Sequence, residues 1–393
     1  MGANCLSFDF DRVIARKGTN SVKHDGRAAY FGTADVLPLW VADMDFSAPE
    51  AVTRALLERA EHPVYGYSLY PESMFDALAS WLMKRHGWEV GREAIMMVPG
   101  VVPSLYATVL ALTRPGDGVI VQPPVYPPFF SAVTTNGRRL LENPLCLENG
   151  WYGMDFDHLE QCAKDGARLL LLCSPHNPVG RVWSRTELLQ LLDIARRYDL
   201  VILSDEIHAD LVYPGTIHTV LGTLAGDADH LITAIAPSKT FNIPGLGLSC
   251  LIVQDPEHRQ AIRKVFDSLH VNNANPFSIA AFDAAYRSGE AWLDSLLVYL
   301  AGNRACVRDY MADYLPNIRL TEPEGTYLLW LDCKKLDMSD EELRDFFVHA
   351  AHVGMNPGIT FGAGGSGFMR LNIAAPRSVI LEALARISRA IEV

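Results

Sequence analysis

Residues 231–256 read LITAIAPSKTFNIPGLGLSCLIVQDP. The apolar runs LITAI and LSCLIV have the length and the flanking turn residues of short buried strands. Between them lies Lys239, just after Pro237 and Ser238. A lysine is ordinarily a solvated surface charge. At the end of a buried strand it is partly desolvated, its charged form is disfavoured, and the amine becomes a usable nucleophile or base. The segments on either side decide between these readings.

Outward from this stretch the same alternation repeats. AIMMVPG (94–100), GVIVQPPVYPP (118–128), ARLLLLCSPHNPVG (167–180) and YDLVILSDEIHADLVY (198–213) each read as an apolar strand running into a polar, proline- or glycine-bearing turn. Amphipathic helices separate several of them. SAPEAVTRALLERAEH (47–62) carries Ser47 as a candidate cap and Pro49 in the first turn, PESMFDALASWLMKRHG (71–87) stops at Gly87, and SRTELLQLLDIARRY spans 184–198. Strands alternating with helices imply an α/β fold with a mainly parallel sheet covered on both faces. In such sheets ligands gather at the carboxyl ends of the strands. After about residue 285 the pattern changes to a smaller α+β unit. The expected organisation is a large unit over 46–285, a small C-terminal unit over 286–393, and an N-terminal segment, 1–45, packing on the small one.

The chain has 393 residues, 49% apolar and 20% charged, with a net charge of −12. That length supports a full core without disulfide staples. The acidic balance argues against nucleic acid and anionic membrane partners. The seven cysteines are odd in number, form no C-x-x-C pair and often sit in apolar runs. They read as small buried residues in a reducing, cytoplasmic setting. The start, MGANCLS, fits a loose myristoylation pattern but has no basic patch beside it, so no lipid anchor is expected. No apolar h-region marks a signal peptide, and no run approaches a membrane span.

Each strand end offers one chemical group. Asp205 follows the apolar run LVIL and has the simpler reading of a helix cap. Asn177 lies between prolines in SPHNPVG, where a turn residue is ordinary. PGVVPS (99–104) opens a helix, whose free amides suit an anion. Tyr126 sits in the stiff stretch PVYPPF. Each residue alone has such an ordinary explanation. Together they supply an amine for an aldehyde, an acid for a pyridine nitrogen, polar groups for a ring hydroxyl, a flat partner for a ring and N–H groups for a phosphate. That is what pyridoxal phosphate (PLP) requires.

The ordered series FDRVIARKGTNSVKHD, LPLWVADMDFSAPE, HPVYGYSLYPESMFDAL, VPGVVPSLYA, QPPVYPPF, CSPHNPVGRVW, SDEIHADLVY, APSKTFNIPGL and GFMRLN spans nearly the whole chain. It resembles the fold-type I PLP enzymes of the aminotransferase superfamily, and more narrowly their MalY/PatB-like cystathionine β-lyase (C–S lyase) group. The resemblance implies a PLP-dependent transferase fold in which Lys239 binds the cofactor aldehyde. It implies that Asp205 pairs with the pyridine nitrogen, that Asn177 and His208 approach the ring hydroxyl, and that Tyr126 stacks on the ring. Gly100, Val101 and Val102 would hold the phosphate through their amides, with Ser238 as a helper. Tyr67 would reach the phosphate of a neighbouring subunit, implying a homodimer with shared active sites. Arg370, in GFMRLN, would clamp the carboxylate of an amino-acid substrate. Two positions depart from many relatives. Gly247 stands where an arginine often grips the phosphate, and Ala236 where a hydroxyl is common, so phosphate binding is expected to lean on backbone amides. The resemblance favours β-elimination from cystathionine or a related cysteine conjugate, releasing a thiol, pyruvate and ammonia. An aminotransferase would use the same residues. A regulatory binding protein on this scaffold is a third reading, and it leaves Lys239, Asp205, Asn177 and Arg370 without a purpose.

The glycine-rich stretch GITFGAGGSGF (358–368) lacks the strand-to-helix setting of a dinucleotide site and reads as a loop near the substrate. Trp40 to Phe46 would border the pocket, and NNANPFS (272–278) would form a turn at a subunit interface.

Overall fold

The computed structural model describes residues 8–226, 229–271 and 275–392. The MGANCLS pattern and residues 272–274 of the expected interface turn lie outside them.

Seven strands form the main sheet: β1 (Ile95–Val98), β2 (Gly118–Val121), β3 (Arg139–Glu142), β4 (Ala167–Cys173), β5 (Val201–Asp205), β6 (Leu231–Ile235) and β7 (Ser249–Val253). Their order is β1-β7-β6-β5-β4-β2-β3. Neighbours are parallel, except that β7 runs antiparallel to both β6 and β1. The alternating direction of strand side chains explains why the runs are apolar throughout. In β4, Leu169 and Leu171 join one core cluster, while Leu170 and Leu172 join another on the opposite face. Helices Val101–Leu112 and Pro256–Ser268 cover the first face through Leu105, Val109, Ile262 and Phe266. Phe156–Lys164 and Arg185–Tyr198 cover part of the second through Leu159, Leu188 and Leu191.

The helix over Glu72–His86 ends as its sequence indicates. Gly87 takes φ +63°, and the Gly87 and Trp88 amides bond back to Met83 and Leu82. Ser184 and Glu187 close a capping box on Arg185–Tyr198. Ser47 does not cap. The first long helix begins at Glu50 with Pro49 as its N-cap residue, so Ser47 lies too far upstream to reach the first-turn amides. The half-exposed edge strand β3 and the hairpin Cys146–Glu148/Trp151–Gly153 carry too weak an apolar pattern to be read from sequence.

A second, antiparallel sheet contains β8 (Arg319–Leu320), β9 (Leu328–Asp332), β10 (Asn356–Pro357) and β11 (Phe368–Asn372), in the order β8-β9-β11-β10. It sets Arg370 between Trp330 and Asn356. The segment Leu39–Phe46 bridges the two sheets. Asn372 Nδ2 donates to the carbonyls of Val41 (2.6 Å) and Asp43 (2.7 Å), and Asn242 Nδ2 donates to those of Met44 (3.1 Å) and Phe46 (2.8 Å). Asn242 sits three residues past Lys239, so this strap ties the lysine loop to the strand that carries Arg370.

No helix among the described residues is long and apolar enough to cross a membrane. Of their cysteines, Cys162, Cys173, Cys250 and Cys333 are buried, Cys146 is exposed, and none is disulfide-bonded.

Candidate active site

The carboxyl ends of the parallel strands converge on one cavity of about 230 Å³. Its wall includes Gly100, Val101, Val102, Tyr126, Asn177 and Asp205, and also His208, Ser238 and Lys239. Residues far apart in sequence meet here because each closes a different strand. Asp205 is the last residue of β5, Gly100 follows β1, Tyr126 follows β2, Asn177 follows β4 and Lys239 follows β6. Lys239 is the one lysine or arginine among the lining residues.

Burial dominates the electrostatics. It pulls the Lys239 amine down to about 8, helped by the positive field of Arg370 and opposed by Asp43 and Asp205. Its Nζ donates to the Ala42 carbonyl at 2.6 Å. Burial also pushes Asp205 up to about 7, against the Ile207 amide and the charge of Lys239. The Ile207 amide donates to Asp205 Oδ1 at 3.1 Å, and no cationic side chain of the described residues lies within ion-pair distance of that carboxylate. This carboxylate suits a cationic N–H donor placed in the cavity. His208 is held down to about 3 by burial and then by Lys239 and Arg370, so its ring is neutral, and its buried Nδ1 has no hydrogen-bond partner. Its ring meets that of Tyr327 edge-on at 5.9 Å. Burial raises the Tyr126 phenol above its usual value.

At the far wall the helix Val101–Leu112 points its N-terminus into the cavity. The Val101 and Val102 amides precede the first intrahelical bonds, and Pro103 has no N–H to add. Gly247 and Ala236 also line the wall. A Cβ at Gly247 would meet only the Pro99 carbonyl, at an ordinary 3.6 Å, so the space beside this residue is open.

Arg370 is 4% exposed, which removes the ordinary reading of a surface ion pair. It donates to Asn177 Oδ1 (3.0 Å), the Trp40 carbonyl (3.0 Å) and Asn356 Oδ1 (2.7 Å), all of them neutral. Its buried Nε has no partner, and no carboxylate of the described residues pairs with it. Burial lowers it to about 10, yet it stays charged at neutral pH. Its guanidinium lies 4.9 Å from the centre of the Phe361 ring, which places the glycine-rich loop beside it. A buried cation held only by neutral acceptors suits an incoming carboxylate.

Tyr67 is 96% exposed and stands away from the cavity within this chain. Sequence reading did not single out Asn356, Tyr327 or the carbonyl of Ala42. Asn356 belongs to a two-residue strand with no pattern of its own, and backbone carbonyls leave no residue-type signal. The strap over residues 40–46 does border the cavity through Ala42. Trp40 packs away from it, stacked on Tyr30 at 4.1 Å.

Residues 34–387 match the aminotransferase class I and II family. The chain is 42% identical over 385 residues to cystathionine beta-lyase PatB of Bacillus subtilis, covering 98% of this chain and 100% of that one. It is 34% identical to the protein MalY of Escherichia coli, over 98% and 99% of the two chains. Among solved structures it is similar to cystalysin from Treponema denticola, which contains a pyridoxal 5′-phosphate cofactor. The TM-score is 0.95 at 38% identity, covering 98% of this chain and 99% of that one. The chain belongs to the aminotransferase class I and II family, and its architecture is that of the fold-type I PLP-dependent transferases.

Proposed function

We propose that this family member is a PLP-dependent carbon–sulfur β-lyase acting on L-cystathionine or a related cysteine S-conjugate. The observation that carries the reading is the pairing of a desolvated amine, Lys239, with a buried Arg370 that has no acidic partner, in a chain 42% identical to a cystathionine β-lyase.

The residues fit the cofactor. Asp205 is a buried carboxylate without a cationic partner, the His208 Nδ1 is buried and unpaired, and a helix N-terminus faces the same cavity. Tyr126 offers a ring face, and Ser238 a hydroxyl. When bound, PLP supplies an electron sink conjugated to the substrate's α-carbon. Asp205 holds the proton on the ring nitrogen, and Asn177 and His208 orient the ring hydroxyl. The Gly100, Val101 and Val102 amides take the phosphate. Arg370 binds the substrate carboxylate by a two-pronged contact, with Asn177 and Asn356 fixing the plane of its guanidinium. Lys239 Nζ is the covalent anchor for the aldehyde. With the cofactor in place, the Lys239 amine would be the general base for the substrate's α-proton, and its depressed pKa makes the neutral amine available near neutral pH. The β-carbon–sulfur bond then breaks and the thiolate departs. With cystathionine and one water the products are homocysteine, pyruvate and ammonia.

A homodimer belongs to this reading. Tyr67 and Leu69 are 96% and 91% exposed in a run that carries two further exposed residues, Val64 and Tyr65, and this supports a partner surface. Tyr67 would complete the partner's phosphate site. The division into a large unit over 46–285 and a small unit over 286–393, with 1–45 packed on the latter, and a cytoplasmic setting belong to it as well.

The family also contains aminotransferases, and the same residues serve both reactions. Product analysis separates them. The purified protein with PLP should release pyruvate from L-cystathionine without any keto-acid acceptor, and borohydride should label Lys239. Strict dependence on an acceptor would assign it as a transaminase. No label at Lys239 would remove the PLP reading.

A further inference from the structure

At the end of the main sheet opposite the catalytic cavity, three donor atoms converge. His230 directly precedes β6. Asp255 caps the helix Pro256–Ser268, and His258 lies in that helix's first turn. His230 Nδ1 is 3.8 Å and His258 Nδ1 3.6 Å from Asp255 Oδ2, and one ligand atom from each residue lies within 4.8 Å of the others.

The geometry is built in. Asp255 Oδ1 accepts the amides of Glu257 (2.7 Å) and His258 (3.2 Å), and this cap turns Oδ2 toward both imidazoles. The other nitrogen of His230, Nε2, faces Asp199 Oδ1 at 3.2 Å. A carboxylate behind an imidazole in this way fixes the tautomer that leaves the far nitrogen as a lone-pair donor. The buried Nδ1 of His258 has no hydrogen-bond partner. Asp199, Asp255 and Glu257 gather negative charge around the two rings. A tetrahedral zinc-type ion with bonds of about 2.1 Å needs donors about 3.4 Å apart. Each imidazole is within a few tenths of an ångström of that spacing from Asp255, and binding would draw the two imidazoles, within 4.8 Å of each other, closer together.

We propose that His230, Asp255 and His258 form a site for one divalent transition-metal ion of the zinc class, with its remaining position open to water and Asp199 orienting His230. Imidazole and carboxylate donors favour such an ion over calcium or magnesium. The site stands apart from the catalytic cavity, at the opposite ends of the parallel strands. It joins the entry of β6 to the start of the helix that covers β7. The metal therefore fastens the back of the sheet and takes no part in elimination.

The test uses PLP-loaded protein stripped with chelator and titrated with cobalt chloride, reading the visible d–d bands, then competed with zinc chloride. The wild type should saturate at one equivalent, and its thermal midpoint should rise. His230→Ala and His258→Ala should each weaken binding by at least about tenfold, and Asp199→Asn by a smaller factor. Metal-free pyruvate release should stay at the wild-type rate in all three. Equal uptake by the wild type and the His230→Ala/His258→Ala double variant would overturn the site, as would no saturable binding by the wild type. Thermal midpoints in chelator control for folding. Should His258→Ala unfold, His230→Ala, at a 39% exposed side chain, still decides the question.

Discussion

Lys23 is fully buried, and replacing it with methionine keeps its length while removing its charge. Its Nζ lies 2.7 Å from Asp45 Oδ2 and 3.7 Å from Asp43 Oδ1. Arg16 reaches both carboxylates as well, at 2.7 Å (Asp43) and 2.6 Å (Asp45). Burial alone would raise the Asp45 carboxyl. Lys23, with hydrogen bonds from His24, Lys23 and Arg16, holds it well below the usual range. Deleting one partner of a buried pair costs about 3–5 kcal/mol, because the other charge is stranded. Here Arg16 stays in place, so the lower end applies, about 3 kcal/mol, or roughly a 150-fold shift in an equilibrium. The cluster anchors the strap rather than the sheet, so the loss should appear as local opening. Exchange of the Met44 and Asp45 amides, bonded to Asn242 and Ala374, should accelerate by about that factor in Lys23→Met while amides of β4 and β5 stay protected. KM should rise, because the strap supplies the Trp40 carbonyl to Arg370 and the Ala42 carbonyl to Lys239. Unchanged exchange at residues 44 and 45, or uniform acceleration through the sheet, would refute the assignment of the cluster to the strap.

In cofactor-free protein, covalent labelling of Lys239 by an amine reagent should rise with pH around a midpoint near 8. A midpoint at the ordinary 10.5 would contradict its desolvation. Asp205 has a folded value raised from 3.8 to about 7, so the native state holds its proton more tightly than the unfolded chain. Its contribution to cofactor-free stability is full below 3.8 and is lost as pH rises through about 7, and urea midpoints of Asp205→Asn should lack that decline. Arg370→Lys keeps the charge but loses the planar fork. It should lower kcat/KM by about 2–3 kcal/mol, roughly 30- to 150-fold and mostly through KM, as measured by pyruvate release.

Alternating strands and helices, and the lysine after LITAI, are local patterns, so they could be read residue by residue. Apolar runs such as ARLLLL announce strands buried on both faces, and Gly87 announces a helix end, because those signals depend on neighbours in the chain. The resemblance implied one site for Asp205, Asn177, Tyr126 and Arg370, which stand far apart in the chain. The antiparallel direction of β7 and the edge position of β3 left no such local mark.

The sequence by itself determined which chemical groups stand at the strand ends, because strand length and turn chemistry are local properties. The tertiary structure alone decided what those groups experience. Burial moved Lys239 and Asp205 toward neutral pH, three neutral acceptors left Arg370 without a counter-charge, and a buried cluster at residues 16–45 fastened the strap whose carbonyls hold both cations. Desolvation and backbone contacts arise only when distant segments pack together, and no residue type encodes them.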